Sequence, residues 1–508
     1  MKNIKIEFTN ERIIPASGLA VVGAILGKSD FVKRCNRMDV TPNRSQHQIK
    51  NGDILLTYIS MLCMGKPEFQ AVHEMDDDRD FYKTALGIAY NIPSEETLRQ
   101  RMDDIGSSLR EHILEENVEL LRMNGIVPSK LPNGFVPVDI DVTPFDNSKT
   151  RKEGVSRTYK GYDGYAPIMA YIGTEGYLIN AQLREGKQHC QCDTPDFLRE
   201  TIRLCRQVTN EPLLIRLDSG NDAAENIGIL LESGCYFIIK RNLRRESREA
   251  WYEMAKANSQ NVTAPRDGKT VYVGSDWKEV TYRTMEGNDK TVTIRTGYEI
   301  IERTIDKYGQ FLLPADLEVN TWWTNTGMED SEVIQNYHAH GECEQFHSEI
   351  KTDMDVERLP SGKFDTNELV LELTILAYNI LRMIGQETIG RRKTRHKVHR
   401  RILHSMQALH QPAAQGREPK GGNQKRQHQH GNTPGMQPCE KTAGRQQDKG
   451  GTRQPAERAR DAGEEREHRH SEDQRQNKGG RDNFQNDTHG SYLLQKFDIC
   501  LYMYIITQ

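Results

Sequence analysis

Three carboxylates stand where their neighbours frame them for joint chemistry. Asp141 lies in Val136-Pro-Val-Asp-Ile-Asp-Val-Thr143. Alternation there puts Val136, Val138, Ile140 and Val142 on one face of a strand, and Asp139, Asp141 and Thr143 on the other. Asp218 ends Pro212-Leu-Leu-Ile-Arg-Leu-Asp, a buried-strand pattern that stops at the turn Asp218-Ser-Gly-Asn. Glu344 sits in Tyr337–Lys351, a stretch without proline whose one glycine is near its start, so a helix is expected. The intervals are 77 and 126 residues, from positions 141, 218 and 344. Paired acids on a strand otherwise rich in Val and Ile are costly unless something neutralises them. A converging set of this kind can hold two divalent cations about 3.5–4 Å apart, the arrangement used in phosphodiester chemistry. Oxygen donors suit Mg²⁺ or Mn²⁺.

Helical spacing places Tyr337, His340, Glu344, His347 and Lys351 on one stripe. Ala339, Cys343, Phe346, Ile350 and Met354 form an adjoining apolar stripe able to face a core. Such a polar stripe could hold a cation at Glu344 and an anionic substrate at its basic members. Charged stripes are ordinarily solvated helix faces, so this reading depends on Asp141 and Asp218 converging upstream.

Composition bounds the alternatives. With 69 Lys+Arg against 73 Asp+Glu over 508 residues, the whole chain is no basic coat for nucleic acid, and any such contact must be local. The start alternates like a strand rather than a signal peptide, and Leu19–Leu26 is far too short for a bilayer span of about 20 residues. Nine irregularly spaced cysteines fit reduced thiols. These features point to a cytoplasmic protein with no membrane segment. His189-Cys190-x-Cys192 lacks a second pair at zinc-site spacing and reads as a loop.

The elements follow in order. Residues 1–130 read as a helical, DNA-binding domain: a helix over Gln48–Cys63, another starting near Glu68, then one capped by Ser94 with Glu95 and Glu96 in its first turn. The exposed Arg99 and Arg101 expected there would suit a helix-turn-helix, although a plain bundle fits as well. Residues 131–240 carry strands, a helix over 194–208 and an alternation of helix and strand, which is a mixed α/β sheet. Residues 241–325 form a β-rich insertion of six short strands. It opens with a basic patch at Arg241, Arg244 and Arg245 and closes with Trp322 and Trp323. The patch and the tryptophans are candidate DNA contacts, although strand tryptophans more often belong to a core. Residues 326–402 hold the Glu344 helix, a covering helix over 366–384 with Gly385 as its stop, and the basic run Arg391–Arg401. Between 411 and 490 there is no Val, Ile, Leu, Trp or Tyr. Residues 403–508 therefore read as a disordered tail, and the abrupt loss of periodicity suggests out-of-frame translation.

Val138-Asp-Ile-Asp-Val-Thr143, Arg216-Leu-Asp-Ser-Gly220 and Tyr337-x2-His340-x3-Glu344-x6-Lys351 together resemble the DDE transposases of bacterial insertion sequences. The last follows the spacing of their Tyr-Arg-Glu-Lys signature, with His340 in place of Arg. The resemblance covers about residues 10–400. It implies an RNase H-like core with a β-strand insertion. It also implies Asp141, Asp218 and Glu344 as ligands of Mg²⁺ or Mn²⁺, two ions in all, with Asp139 as an alternative first ligand or helper. Tyr337 and Lys351 would hold DNA phosphate, and His347 could partly replace the missing Arg. The implied reaction is cut-and-paste transposition: cleavage of double-stranded DNA at element ends and transfer into a target, by a homodimer on paired ends. The alternatives are a decayed copy that binds ends without cutting, and a metal-dependent nuclease.

Overall fold

The structure, a computed structural model, describes residues 14, 16–40 and 47–389. The tail and the basic run Arg391–Arg401 lie outside the described residues.

Six helices come first: α1 (Leu19–Leu26), α2 (Phe31–Arg37), α3 (Asn51–Cys63), α4 (Arg79–Leu86), α5 (Glu95–Ile105) and α6 (Arg110–Met123). Every residue of α3 is buried. The helix expected from Glu68 is a 3₁₀ segment, Phe69–Met75. Ser94 caps α5 as its sequence demands, its side chain accepting from the Thr97 N–H. Arg101 is not exposed. It is buried, donating to the Ile49 carbonyl and to Asn51, and so ties α5 to the start of α3.

The chain then enters β1 (Val136–Val142), three short strands β2 (Phe145–Asp146), β3 (Ser156–Arg157) and β4 (Asp163–Tyr165), and the hairpin β5 (Ile168–Ile172) and β6 (Tyr177–Gln182). Next come α7 (Thr194–Val208), β7 (Leu213–Leu217), α8 (Ala224–Glu232) and β8 (Tyr236–Lys240). The strand order β6-β5-β1-β7-β8 is an antiparallel meander joined to parallel β7 and β8. This is the RNase H-like arrangement.

The insertion differs from its expected form. It begins with α9 (Arg248–Asn258), a helix the sequence reading passed over although Ser247 caps it. The six short strands are in fact three long ones, β10 (Lys269–Arg283), β11 (Asp289–Ile305) and β12 (Phe311–Thr324), preceded by the edge strand β9 (Asn261–Arg266). Trp322 and Trp323 of β12 pair with Lys240 and Ile239 of β8. The insertion thereby extends the core into one nine-stranded sheet.

After β12 come α10 (Asp330–His338), α11 (Cys343–Ser348) and α12 (Phe364–Ile389). α12 packs on α3, α5, α6 and β6. Leu369, Leu373, Leu376 and Ile380 are fully withdrawn from water, each contributing about 1.5–3 kcal/mol. Gly385 does not stop this helix. Gln386 beyond it accepts a hydrogen bond from the Tyr177 hydroxyl, a tertiary contact that outweighs the propensity loss of about 1 kcal/mol.

Candidate active site

The register of two strands builds the site. β1 and β7 run parallel, with Asp139 opposite Arg216 and Ile140 opposite Leu217. One residue on, Asp141 and Asp218 are neighbours at the carboxyl ends of their strands, about 4.8 Å apart along the sheet. Alternation gives one face Asp139, Asp141, Arg216 and Asp218, and gives the other Val138, Ile140, Ile215 and Leu217, all buried.

Within the acidic face the roles divide. Asp139 receives Arg216 on both oxygens at 2.6 Å and His340 Nδ1 at 2.8 Å. Burial works against its charge, but Arg216 and His340 outweigh this and hold its pKa below the usual value. Arg216 also donates to the Asn336 carbonyl at 2.7 Å, pinning α10 to the sheet. With both oxygens engaged, Asp139 anchors the Glu344 segment, and the ligand reading passes to Asp141. Asp141 has no such cation. Its Oδ1 accepts the Val142 N–H at 2.8 Å, while burial and then Asp218, with a smaller push from Glu344, raise its carboxyl to about 6. Asp218 is also raised, chiefly by burial; its Oδ1 accepts from Gly220 N–H and the Asn221 side chain. Glu344 is exposed on α11.

The segment carrying Glu344 is not the continuous helix its spacing suggested. α10 ends at His338, a 3₁₀ turn spans Ala339–Glu342, and a π-helical turn spans Glu349–Asp353 after α11. The apolar stripe holds: Cys343, Phe346, Ile350 and Met354 are buried. Phe346 seats the segment over the β5–β6 turn at Gly176, where φ is +70° and an added Cβ would lie 2.2 Å from the Phe346 ring. The polar stripe divides by exposure: Glu344 is exposed, Tyr337 and Lys351 are half-buried, and the two histidines turn inward against Asp139 and Asp141. His340 and His347 are buried, so neither forms a solvent-facing DNA contact. Burial opposes the charge of His340, yet its bond to Asp139 raises its pKa. His340 thus serves as a second partner of Asp139 beside Arg216. His347 stacks against Tyr171 at 5.4 Å, and burial, with Lys351 next, lowers its pKa to about 3, leaving it neutral. Its Nδ1 lies 3.8 Å from Asp141 Oδ2, and Cys343 Sγ lies 4.0 Å from the same oxygen.

Tyr337 and Lys351 flank the acids. Burial and then Asp218 and Asp141 raise the Tyr337 pKa. Lys351 Nζ donates to the Pro144 carbonyl at 2.7 Å, just beyond β1. The insertion residues are corrected further. Trp322 packs on Tyr337 at 5.6 Å, and Trp323 Nε1 donates to Asp222 Oδ1 at 2.8 Å; both are core residues. Arg241 is buried, pairs with Glu246 and lies 4.3 Å over the Trp323 ring. It therefore stitches β8 to the insertion rather than facing DNA. Arg244 and Arg245 are exposed, with Arg244 donating to the Asp222 carbonyl. Sequence reasoning missed Tyr159. Its ring is exposed, and its hydroxyl donates to the Val142 carbonyl at 3.2 Å, just beyond Asp141 on β1. An aromatic in a Gly-rich turn was the available signal.

The family model described as transposase DDE domain group 1 matches residues 1–404. No curated protein matches the chain. Among solved structures, the chain is similar to a piggyBac transposase in a synaptic complex with hairpin DNA. The identity is 14% and the TM-score 0.34, over 79% of this chain and 83% of that one.

Proposed function

Because the chain belongs to the transposase DDE domain group 1 family, it is a transposase, and we propose that it works by cut and paste, cleaving double-stranded DNA at the ends of its element and joining them to a target. The observation that supports this reading is the β1–β7 register, which sets Asp141 beside Asp218, both raised by burial, with no lysine or arginine paired to either among the described residues. Asp141, Asp218 and Glu344 are the proposed catalytic carboxylates. The set fits a hard dication: its donors are all oxygen, and the penalty that raises Asp141 is one a bound cation would reverse. Mg²⁺ or Mn²⁺, as a pair of ions, would supply Lewis acidity at the phosphoryl oxygen and a more acidic attacking hydroxyl or water.

The chain's own groups do the positioning. Asp139, Arg216 and His340 lock the Glu344 segment against β1. Tyr337 and Lys351 hold phosphate beside the acids, and exposed Arg244 and Arg245 extend that contact along the duplex. The helices of 1–130 read the element ends. Two copies on paired ends would keep both cuts coupled, and the reaction belongs to the cytoplasm. Among the described residues no helix is long and apolar enough to cross a membrane.

The test is incubation with DNA carrying the element's inverted-repeat ends, a supercoiled target and Mg²⁺. Joined products support the proposal. Cuts without joining would make the protein a metal-dependent nuclease, and binding without cuts would make it a decayed copy.

A further inference from the structure

The carboxylate set above consists of oxygen donors, yet Asp141 also faces a thiol and an imidazole. One donor atom each from Asp141, Cys343 and His347 lies within 4.8 Å of the other two. Two of the separations are known: 3.8 Å from Asp141 Oδ2 to His347 Nδ1, and 4.0 Å from the same oxygen to Cys343 Sγ. Ligands of a tetrahedral zinc ion, at bonds of about 2.0–2.3 Å, sit about 3.3–3.8 Å from one another, so the two contacts to Asp141 are near that spacing and the third must close by up to about 1 Å. Cys343 and His347 are four residues apart on α11, which brings both side chains to one face of the helix. Both are buried. At 3.8 Å the His347–Asp141 contact is too long for a hydrogen bond. The other ring nitrogen, Nε2, is buried with no partner. An imidazole engaged at neither nitrogen is costly to bury, and a cation on Nδ1 would give it one strong partner.

We propose that Asp141, Cys343 and His347 form a binding site for a thiophilic divalent cation of the Zn²⁺ class, distinct in donors from the hard-cation site but sharing Asp141 with it. Binding releases the Cys343 proton to solvent and forms a metal–sulfur bond, with water completing the shell. The thiolate and imidazole exclude Mg²⁺, which takes oxygen donors, so the two cations select different partners around one shared carboxylate. Occupancy by the soft ion withdraws Asp141 from Asp218 and Glu344 and therefore inhibits DNA cleavage. That inhibitory consequence rests on the proposed role of Asp141; the binding itself does not.

The test uses the full chain with Co²⁺ as a spectroscopic probe, read by its thiolate-to-metal charge-transfer absorption. The expected result is a band saturating at one ion per chain. It should be lost in Cys343→Ser and weakened at least about tenfold in apparent affinity in His347→Gln. It should persist in Cys190→Ser/Cys192→Ser and in Asp218→Asn. His347→Gln keeps every thiol, so, with its melting curve confirming a native fold, it tests the site even if Cys343→Ser fails to fold. No band in the parent, or an unchanged band in His347→Gln, overturns the proposal. In the cleavage assay, Zn²⁺ should inhibit the parent and require at least about tenfold more metal in His347→Gln. The Co²⁺ band in Asp218→Asn separates the two claims. Should that variant cleave normally, the catalytic assignment fails while the band still decides the soft-metal site.

Discussion

Asp141→Asn should make the metal-free protein more stable while disabling it. The carboxyl rises from an ordinary value of 3.8 to about 6, chiefly through burial and then through Asp218. About two units at 1.36 kcal/mol each give an upper figure of about 3 kcal/mol for the penalty on the charged form. The sign follows from proton uptake. A carboxyl with a raised folded pKa binds more protons folded than unfolded, so its stabilisation is full below about 3.8 and is lost as pH rises through about 6. At pH 8 the parent bears the whole penalty. Asparagine removes the charge at nearly constant shape, and its carbonyl oxygen can still accept the Val142 N–H. The expected gain in EDTA is about 1–3 kcal/mol, or about 1–4 °C in Tm at roughly 1.3 °C per kcal/mol for a chain with this many ordered residues. Saturating Mg²⁺ should reverse the order. A ligand at one hundred times its Kd stabilises by about 2.7 kcal/mol, and the variant forfeits most of this. Calorimetry of both proteins at pH 8, with EDTA and with Mg²⁺, is the assay. A variant no more stable than the parent in EDTA, or an equal gain from Mg²⁺ in both, would refute the reasoning.

Two further outcomes follow from the same face. Arg216→Leu leaves Asp139 buried without its bidentate partner, so urea unfolding should show a loss of about 3–5 kcal/mol; a loss under 1 kcal/mol would contradict the anchoring role. Because Asp141 must shed its proton to bind a cation, the Mg²⁺ concentration for half-maximal binding should rise by up to about tenfold per pH unit below about 6. Titration calorimetry at pH 5, 6 and 7 checks this, and a pH-independent affinity would exclude Asp141 as a ligand.

The core strands were legible in the sequence because alternation and a burial pattern are local properties. Val136–Val142 and Leu213–Leu217 declare themselves, and their acids come with them. Their parallel register, which makes neighbours of Asp141 and Asp218, is not local and could only be inferred through a resemblance. The Glu344 segment misled for a related reason. The spacing through Tyr337–Lys351 suggests a single helical period, whereas the 3₁₀ and π turns reset it, and Asp139 and Phe346 decide which side chains turn inward. In the insertion, charge was mistaken for exposure. Arg241 lies over Trp323 and Trp322 packs on Tyr337 in the interior, pairings that composition cannot reveal. The long strands β10 and β11 were split because their exposed faces carry polar residues that resemble turns.

The central claim is that adjacent carboxylates on β1 and β7 cut DNA. Its most direct test is cleavage of inverted-repeat end DNA with Mg²⁺ by Asp218→Asn, with binding of the same DNA measured in parallel. The expected result is cleavage reduced by at least about a thousandfold, since losing a ligand removes several kcal/mol of transition-state stabilisation, with binding retained. Cleavage at the parent rate would contradict the account.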